Sequence, residues 1–497
     1  MTSLLHQLQG ALADPSIPWK SVLLASIGAK EVFETYVGSR QRPYLSPVLH
    51  PTLPNALKPY LTAPDAHDTY RKSQAYARHK LDYGSVMIVL DLGETAVLLS
   101  GVALPVWNAL GLPLPAGGGQ SQWTLLRGFW DLAARVPFAG AGASEIRQSA
   151  AFVVLLTVVG TVLSLPKEYY RNFVLEERHG FNKMTRATFA KDQVKGLLVS
   201  LALEVPLVAG LIKITHWAGS DAILRMVTWL IVFIFCIQIA MIFVYPYVIM
   251  PLFNKFTPLP TDSPVYPRVK NLAEKLNFPL GKVWVIDGSI RSSHSNAFFF
   301  GLPGLQKHIV LYDTLLEKSK PEEVEAILAH ELGHWKGMHV VYLLAVALTQ
   351  VAVSFSVYAL FLENGALLSA FGFPPSAAAS PLELVKNKLG MSHGGTGPTI
   401  AAVLLASMLV SPLSSFLQFV TNSITRHLEY DADAFATKLG ASYAVNLKKA
   451  LVTIHEKNLA VYGVDHVYSA YNHNHPTLVE RLEALDSQLA RDTKKST

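Results

Sequence analysis

The sequence predicts an all-α integral membrane protein of seven transmembrane helices, with a small α+β domain on the cytoplasmic side. Three observations carry this. The 497-residue chain is 51% hydrophobic and only 16% charged, which is too apolar for an ordinary soluble domain of that length. Its apolar residues are gathered into runs long enough to cross about 30 Å of hydrocarbon. The long polar segment between the fifth and sixth runs holds short strand-like stretches.

Taken in order, the runs occupy 19–37, 84–106, 149–166, 194–216, 223–250, 339–362 and 399–420. Lys30, Glu31 and Glu34 interrupt the first, and the fifth is long enough to run on past the bilayer at Pro246 and Pro251. No basic segment precedes the first run, so a cleaved secretory signal is not expected. The chain therefore divides into 1–250, five membrane helices with basic loops; 251–338, a cytoplasmic segment; 339–420, two more membrane helices; and 421–497, a cytoplasmic helical segment and tail.

Orientation follows from basic residues, which hold short loops in the cytoplasm. Arg40, Arg42, Lys58, Arg71, Lys72, Arg78 and Lys80 crowd the first loop, and Lys167, Arg171, Arg178, Lys183, Arg186 and Lys191 the third. The second loop is poorer in them, the fourth is very short, and the sixth (363–398) offers Lys386 and Lys388. The N-terminus is thus expected in the lumen, and the 251–338 segment and C-terminal tail in the cytoplasm. The net charge of +6 belongs to this topology and favours lipid headgroups over nucleic acid as partners. One cysteine, Cys236, excludes an intrachain disulfide and a cysteine metal site. Lys494-Lys495 resemble a dilysine retrieval signal, or are simply a frayed basic tail.

Charges inside hydrocarbon are costly unless they face protein or water. Asp91 and Glu94 share a face of the second run, and Glu204 lies in the fourth. Either these faces look into a hydrated chamber enclosed by the helices, or the groups pair between neighbouring helices.

The strongest chemical signal is His330-Glu331-Leu332-Gly333-His334. On a helix, histidines at i and i+4 lie about 40° apart and both reach one zinc ion, while Glu331 sits beside them as a base for metal-activated water. A catalytic zinc needs a third protein ligand. A histidine at 340 would supply one, but that position is Val340, and His339 at i+5 points about 140° away on a continuous helix, as expected of an interfacial histidine. The segment around Glu429-Tyr430-Asp431-Ala432-Asp433 offers instead Glu429 as third ligand, with Asp433 orienting a ligating imidazole, His330. Both ligand sets lie just beyond the sixth and seventh runs, so the site sits at the cytoplasmic membrane face.

Two further segments bear on chemistry. Ser292–Gly301 (SSHSNAFFFG) is polar and then strand-forming, so an edge strand at Asn296, Ala297 and Phe298 can hold an extended peptide by main-chain hydrogen bonds. His475 and Arg481 flank the start of a helix, where a cationic pair is suited to an oxyanion, or merely to a helix cap.

With these motifs, FVLEERHGFNK at 173–183, PLFNKF at 251–256, SHSNAFFFG, HELGHW, the Glu429 segment and HPTLVERLEAL, the chain resembles the type I CaaX prenyl proteases, eukaryotic seven-span zinc endopeptidases with bacterial relatives. The resemblance covers nearly the whole sequence. It implies one zinc ion per chain held by His330, His334 and Glu429, Glu331 as base, His475 and Arg481 in the active site, a water-filled chamber, and residence in the endoplasmic reticulum membrane and nuclear envelope. Its implied reaction removes the last three residues of prenylated CaaX proteins, by a monomer working in membrane lipid. Two alternatives remain at this stage: a quality-control membrane protease indifferent to the lipid, and a scaffold whose zinc is structural.

Overall fold

The chain is described from a computed structural model covering residues 2–61, 64–112, 122–137, 144–218, 223–301, 306–373 and 397–496. Helices dominate it: α1 Trp19–Gln41, α2 Ala66–Leu98, α3 Glu145–Tyr170, α4 Arg186–Ala218, α5 Ile223–Val244, α6 Val265–Leu276, α7 Pro321–Lys336, α8 His339–Ala359, α9 Thr399–Leu409, α10 Ser411–Lys438, α11 Ala441–Lys457, α12 His466–Asn472 and α13 Leu478–Ser496. Wider, π-type turns at Arg171–Glu176 and Tyr245–Ile249 prolong α3 and α5. Each lies close to a proline, Pro166 or Pro246, whose missing N–H disturbs the regular hydrogen-bond ladder.

Among the described residues, four helical stretches are long and apolar enough to cross a membrane: Glu145–Glu176, Arg186–Ala218, Leu224–Phe253 and His339–Ala359. Their exposed surface includes Leu198, Trp229, Val232 and Phe235, which only a nonaqueous solvent would tolerate in such density. The last expected span differs from a single continuous helix. It is broken between α9 and α10, which meet at a bend of 64°. Pro412, suited to a helix's first turn, starts the second half. The second span also departs from its expected bounds, since α2 begins at Ala66 and stops at Leu98. α1 and α2 are long, but charges are spread along both.

One apolar cluster shows how the helices are threaded. It joins Trp19, Phe152, Met226 and Ile400, at the N-terminal ends of α1, α3, α5 and α9, to Leu99, Ile212 and Ala359, at the C-terminal ends of α2, α4 and α8. Among the described residues, these helices therefore run alternately up and down from one packed end. A cavity of about 850 Å³ opens further along, between α1, α2, α10 and α12, with Glu34, Gln41, Lys80, Asn422, Tyr468 and His473 among its lining. Its polar lining fits a hydrated interior. Asp91 and Glu94 take the pairing alternative: each carboxylate lies 2.7 Å from Lys167 Nζ of α3. Glu204 accepts a hydrogen bond from Thr157, and Lys30 bridges Glu31 and Glu34.

At the other end sits a four-stranded sheet, β1 Phe256–Pro258, β2 Leu280–Ile286, β3 Ala297–Phe300 and β4 Lys307–Tyr312, in the order β1-β2-β4-β3. β2 and β4 are parallel, and β3 is an antiparallel edge strand paired with β4 alone. The sheet packs on α6 and α7 through Val269, Leu272, Ile309, Leu311, Val324 and Leu328. Leu57 and Leu61 of the basic first loop wedge against Val452, Leu478 and Leu482, so this loop and the C-terminal helices share one side. Lys386 and Lys388 of the sixth loop, and the side chains of Lys494 and Lys495, lie outside the described residues.

The junction beneath the first loop contains His455, whose Nε2 lies 3.1 Å from the Val461 carbonyl and whose ring packs against Tyr462. Burial pushes its pKa down to about 4. Below pH 6.5 the unfolded chain takes up a proton that the folded chain refuses, so stability falls as pH drops from 6.5 towards 4. Between pH 7 and 5 the loss should be about 2 kcal/mol. Thermal unfolding in detergent should show a shallower acid dependence for His455→Phe than for wild type, and equal slopes would remove His455 as the cause.

Candidate active site

The metal-motif helix α7 is anchored before it offers any chemistry. Pro321 starts it, Glu322 and Glu323 complement its positive end, and Glu323 accepts a hydrogen bond from the Lys320 amide. Val324, Ile327, Leu328 and Leu332 fill the core, which turns His330 and His334 towards α10. Gly333 lets the two helices meet, because a Cβ there would stand 3.0 Å from Ala432 Cα. On α10, Glu429 and Asp433 are one turn apart and both buried.

The three expected ligands converge. His330 Nε2 lies 3.2 Å from His334 Nε2 and 3.4 Å from Glu429 Oε2, and His334 Nε2 lies 3.3 Å from Glu429 Oε1. These residues form the group among the described residues whose donor atoms all fall within 4.8 Å of one another. Tetrahedral ligands at about 2.05 Å from zinc stand roughly 3.3 Å apart, so the spacing suits that ion. Glu429 Oε2 is moreover buried without a hydrogen-bond partner, a costly state that a cation relieves.

Around this cluster, His330 Nδ1 lies 2.9 Å from Asp433 Oδ1. Arg481 grips Asp433 from behind with two bonds, Nε to Oδ2 at 2.9 Å and NH2 to Oδ1 at 2.7 Å. Its other nitrogen is 3.8 Å from Glu429 Oε2. His475 stands on the open side, its Nε2 3.4 Å from Glu429 Oε1 and its ring half exposed. The Glu331 carboxyl is held above the usual carboxylate range by burial, with His330 and His334 acting in the opposite sense.

β3 runs beside α7. Asn296 is exposed, its side chain accepting from the Ala297 amide and its carbonyl from the Tyr312 amide. Ala297 is buried, and Phe298 packs with Met250, Ile286 and Val310, so both side chains are committed to the core. The 173–183 segment positions this strand's approach: the Phe181 carbonyl accepts from the Ser293 amide, Asn182 bridges to Ser292, and the Phe181 ring stacks on His294 at 4.3 Å. Within it, Glu176 accepts from Tyr76 at 2.8 Å, and His179 meets His79 at 2.8 Å.

His339 departs from the sequence expectation. α7 and α8 are not one helix: Met338 between them has φ +55°, and His339 is buried with its Nδ1 2.8 Å from His334 Nδ1. It is a neighbour of the ligand cluster and not an interfacial residue. Its proximity to His334 in sequence is the signal, and the Met338 turn is what brings the two rings together.

A bundle of apolar helices carrying an H-E-x-x-H helix and a buried glutamate at one mouth defines a membrane metallopeptidase. Residues 261–489 match the Peptidase family M48, and residues 47–255 match the CAAX prenyl protease N-terminal model, described as five membrane helices. The CAAX prenyl protease 1 of Saccharomyces cerevisiae is 36% identical, covering 97% of this chain and 98% of the yeast protein. The Arabidopsis thaliana homologue is 34% identical, with 95% and 99% covered, and the human homologue 30%, with 91% and 92% covered. A solved structure, the crystal structure of S. mikatae Ste24p, superposes with a TM-score of 0.79 at 34% identity, covering 95% of this chain and all of that one. The chain belongs to the CAAX prenyl protease 1 family of M48 zinc metalloendopeptidases.

Arg481 is the cation that balances Asp433 inside this site, and removing one partner of a buried pair strands the other. Arg481→Met should cost about 3 kcal/mol in chemical unfolding. Arg481→Met combined with Asp433→Leu should cost less than the sum of the single losses. Additive losses would show that the two groups are not coupled.

Proposed function

We propose that this protein is a zinc-dependent endopeptidase that removes the last three residues from prenylated CaaX proteins, acting as a monomer in the endoplasmic reticulum membrane. In this reading the chain crosses the bilayer seven times, with the N-terminus in the lumen and the site on the cytoplasmic side. The observation that carries the chemistry is the convergence of His330, His334 and the Glu429 carboxylate at 3.2 to 3.4 Å, with Glu429 Oε2 buried and lacking a hydrogen bond. The relatives' printed names, CAAX prenyl protease 1, support the substrate class. So does the juxtaposition of the polar cavity with an apolar groove of about 540 Å³, lined by Phe33, Phe416 and Phe419; Tyr471 lines both. A peptide and its lipid need two such neighbouring environments.

His330, His334 and Glu429 hold the zinc. The bound ion supplies Lewis-acid polarisation of the scissile carbonyl and makes a water easier to deprotonate. Glu331 takes the proton of the attacking water as its oxygen bonds to the carbonyl carbon, and gives it to the leaving nitrogen as the C–N bond breaks. His475, on the open side, donates from its imidazole to the developing oxyanion. Arg481 acts through Asp433, whose carboxylate fixes His330, so its part is positioning. Asn296 and the free edge of β3, through Ala297 and Phe298, keep the peptide extended.

Purified protein should cleave a farnesylated CaaX peptide and stop when a chelator is added. Glu331→Gln should lose at least about 10²-fold in turnover while binding zinc as wild type does. Full activity in that variant would end the mechanism. Equal cleavage of the same peptide without its farnesyl group would favour a quality-control protease indifferent to lipid.

A further inference from the structure

Both ligating histidines use one ring nitrogen for the donor cluster and present the other to a partner. For His330 that partner is the Asp433 carboxylate at 2.9 Å. For His334 it is another imidazole, since His334 Nδ1 lies 2.8 Å from His339 Nδ1 while His334 Nε2 belongs to the cluster. We infer that His339 is a positioning residue of the metal centre, accepting the Nδ1 proton of His334 and so fixing the tautomer and ring plane with which His334 meets the ion. This rests on reading His330, His334 and Glu429 as the ligand set.

The contact is built by the local backbone. On a continuous helix a residue five positions after His334 would point about 140° away. The left-handed Met338, at φ +55°, ends α7 and starts α8 in a new direction that returns residue 339 to the site. Gly337 makes the space: a Cβ there would fall 2.3 Å from His339 Nε2 and 2.6 Å from its Cδ2. The result is a His339 ring that is 4% exposed, with its centroid 4.9 Å from that of His334 at an interplanar angle of 77°.

The chemistry follows from which nitrogen carries which proton. A histidine offering Nε2 to a cation keeps its hydrogen on Nδ1 and donates it. His339 must then present an unprotonated Nδ1 and carry its own hydrogen on Nε2. The two ligands are therefore backed differently, His330 by an anion and His334 by a neutral ring. A second carboxylate behind His334 would add buried negative charge beside Glu429 and Asp433, for both of which Arg481 is the cation in contact. A neutral acceptor orients the ligand without that charge. Because His339 is also the first residue of α8, this bond joins the start of the apolar helix to the donor cluster.

The test is zinc affinity, measured on the full-length purified protein by competition with a chromophoric chelator. His339→Phe keeps an aromatic ring but has no acceptor, and should weaken zinc binding by about 10- to 100-fold. His339→Asn places an amide oxygen near the position of Nδ1 and should restore most of the affinity. Gly337→Ala should weaken binding by displacing the ring. Cobalt-substituted His339→Phe should also show shifted visible bands, while its thermal unfolding without metal matches wild type. Wild-type zinc affinity in His339→Phe, or no recovery in His339→Asn, would overturn the inference. A wild-type protein that binds no zinc would instead overturn the ligand assignment beneath it.

Discussion

The site depends on how closely α7 can approach α10. Imidazole and carboxylate side chains are short, so donors from two helices meet at a metal's radius only when the backbones nearly touch. Gly333, lying between the two histidines in sequence, and Ala432, lying between Glu429 and Asp433, are the contact. A methyl group on Gly333 would stand 3.1 Å from the Ala432 carbonyl oxygen and 3.2 Å from Phe435 Cβ as well. A glycine inside a helix costs up to about 1 kcal/mol relative to alanine. Core packing of Val324, Leu328 and Leu332 on the rest of α7 offsets that cost.

Close approach creates an electrostatic problem that other parts of the chain resolve. Glu429 and Asp433 are buried within one turn of each other, and such charges persist only when paired. Arg481 meets this need from α13, which itself is seated on α10 through Arg426 and Glu480. α13 is in turn covered by Leu57 and Leu61 of the first loop. Arg40 at the end of α1 grips Asp465, which caps α12, and Asn422 of α10 donates to the Tyr471 carbonyl. The basic residues that read as a topology signal are thus partly structural, because Arg40 and Arg42 are committed to Asp465 and Asp82.

Much of the site was legible because its spacing is local. His330, Glu331 and His334 needed only the helical period, and Glu429 with Asp433 needed it again on a second helix. The gaps arise where one-dimensional reading cannot see a backbone torsion. A hydropathy window averages composition, so the break at Met338 and the 64° bend between α9 and α10 left no mark in it. Pro412 marks the bend in the sequence, whereas the face on which His339 lies depends on the Met338 torsion, which the helical period does not reveal. Leu280–Ile286, with its alternating Val283 and Val285, carries a strand signal, but its parallel pairing with β4 joins residues about 25 positions apart and leaves no local pattern. Asp91 and Glu94 pose the opposite case. Their shared face was evident, but their partner Lys167 belongs to another helix, and no local pattern links them.

The distribution of packing explains how such a fold can enclose space at all. Within a bilayer, helices associate through van der Waals contact and interhelical hydrogen bonds, and a cavity forgoes those contacts. Here the largest described opening lies between two packed regions. One end is closed by Trp19, Phe152, Ile212, Phe371 and Leu405, all nearly or fully buried, and the other by the sheet with α7, α10 and α11. Between them, α1, α2, α10 and α12 part around polar side chains, several of which are already satisfied: Gln41 donates to the Gly463 carbonyl, and Glu34 accepts from Tyr471. A helix needs neighbours only along part of its length to stay in register, since its own backbone bonds are internal. Two packed ends can therefore hold an open centre, and the helices that bring His330, His334 and Glu429 together belong to the end formed with the sheet.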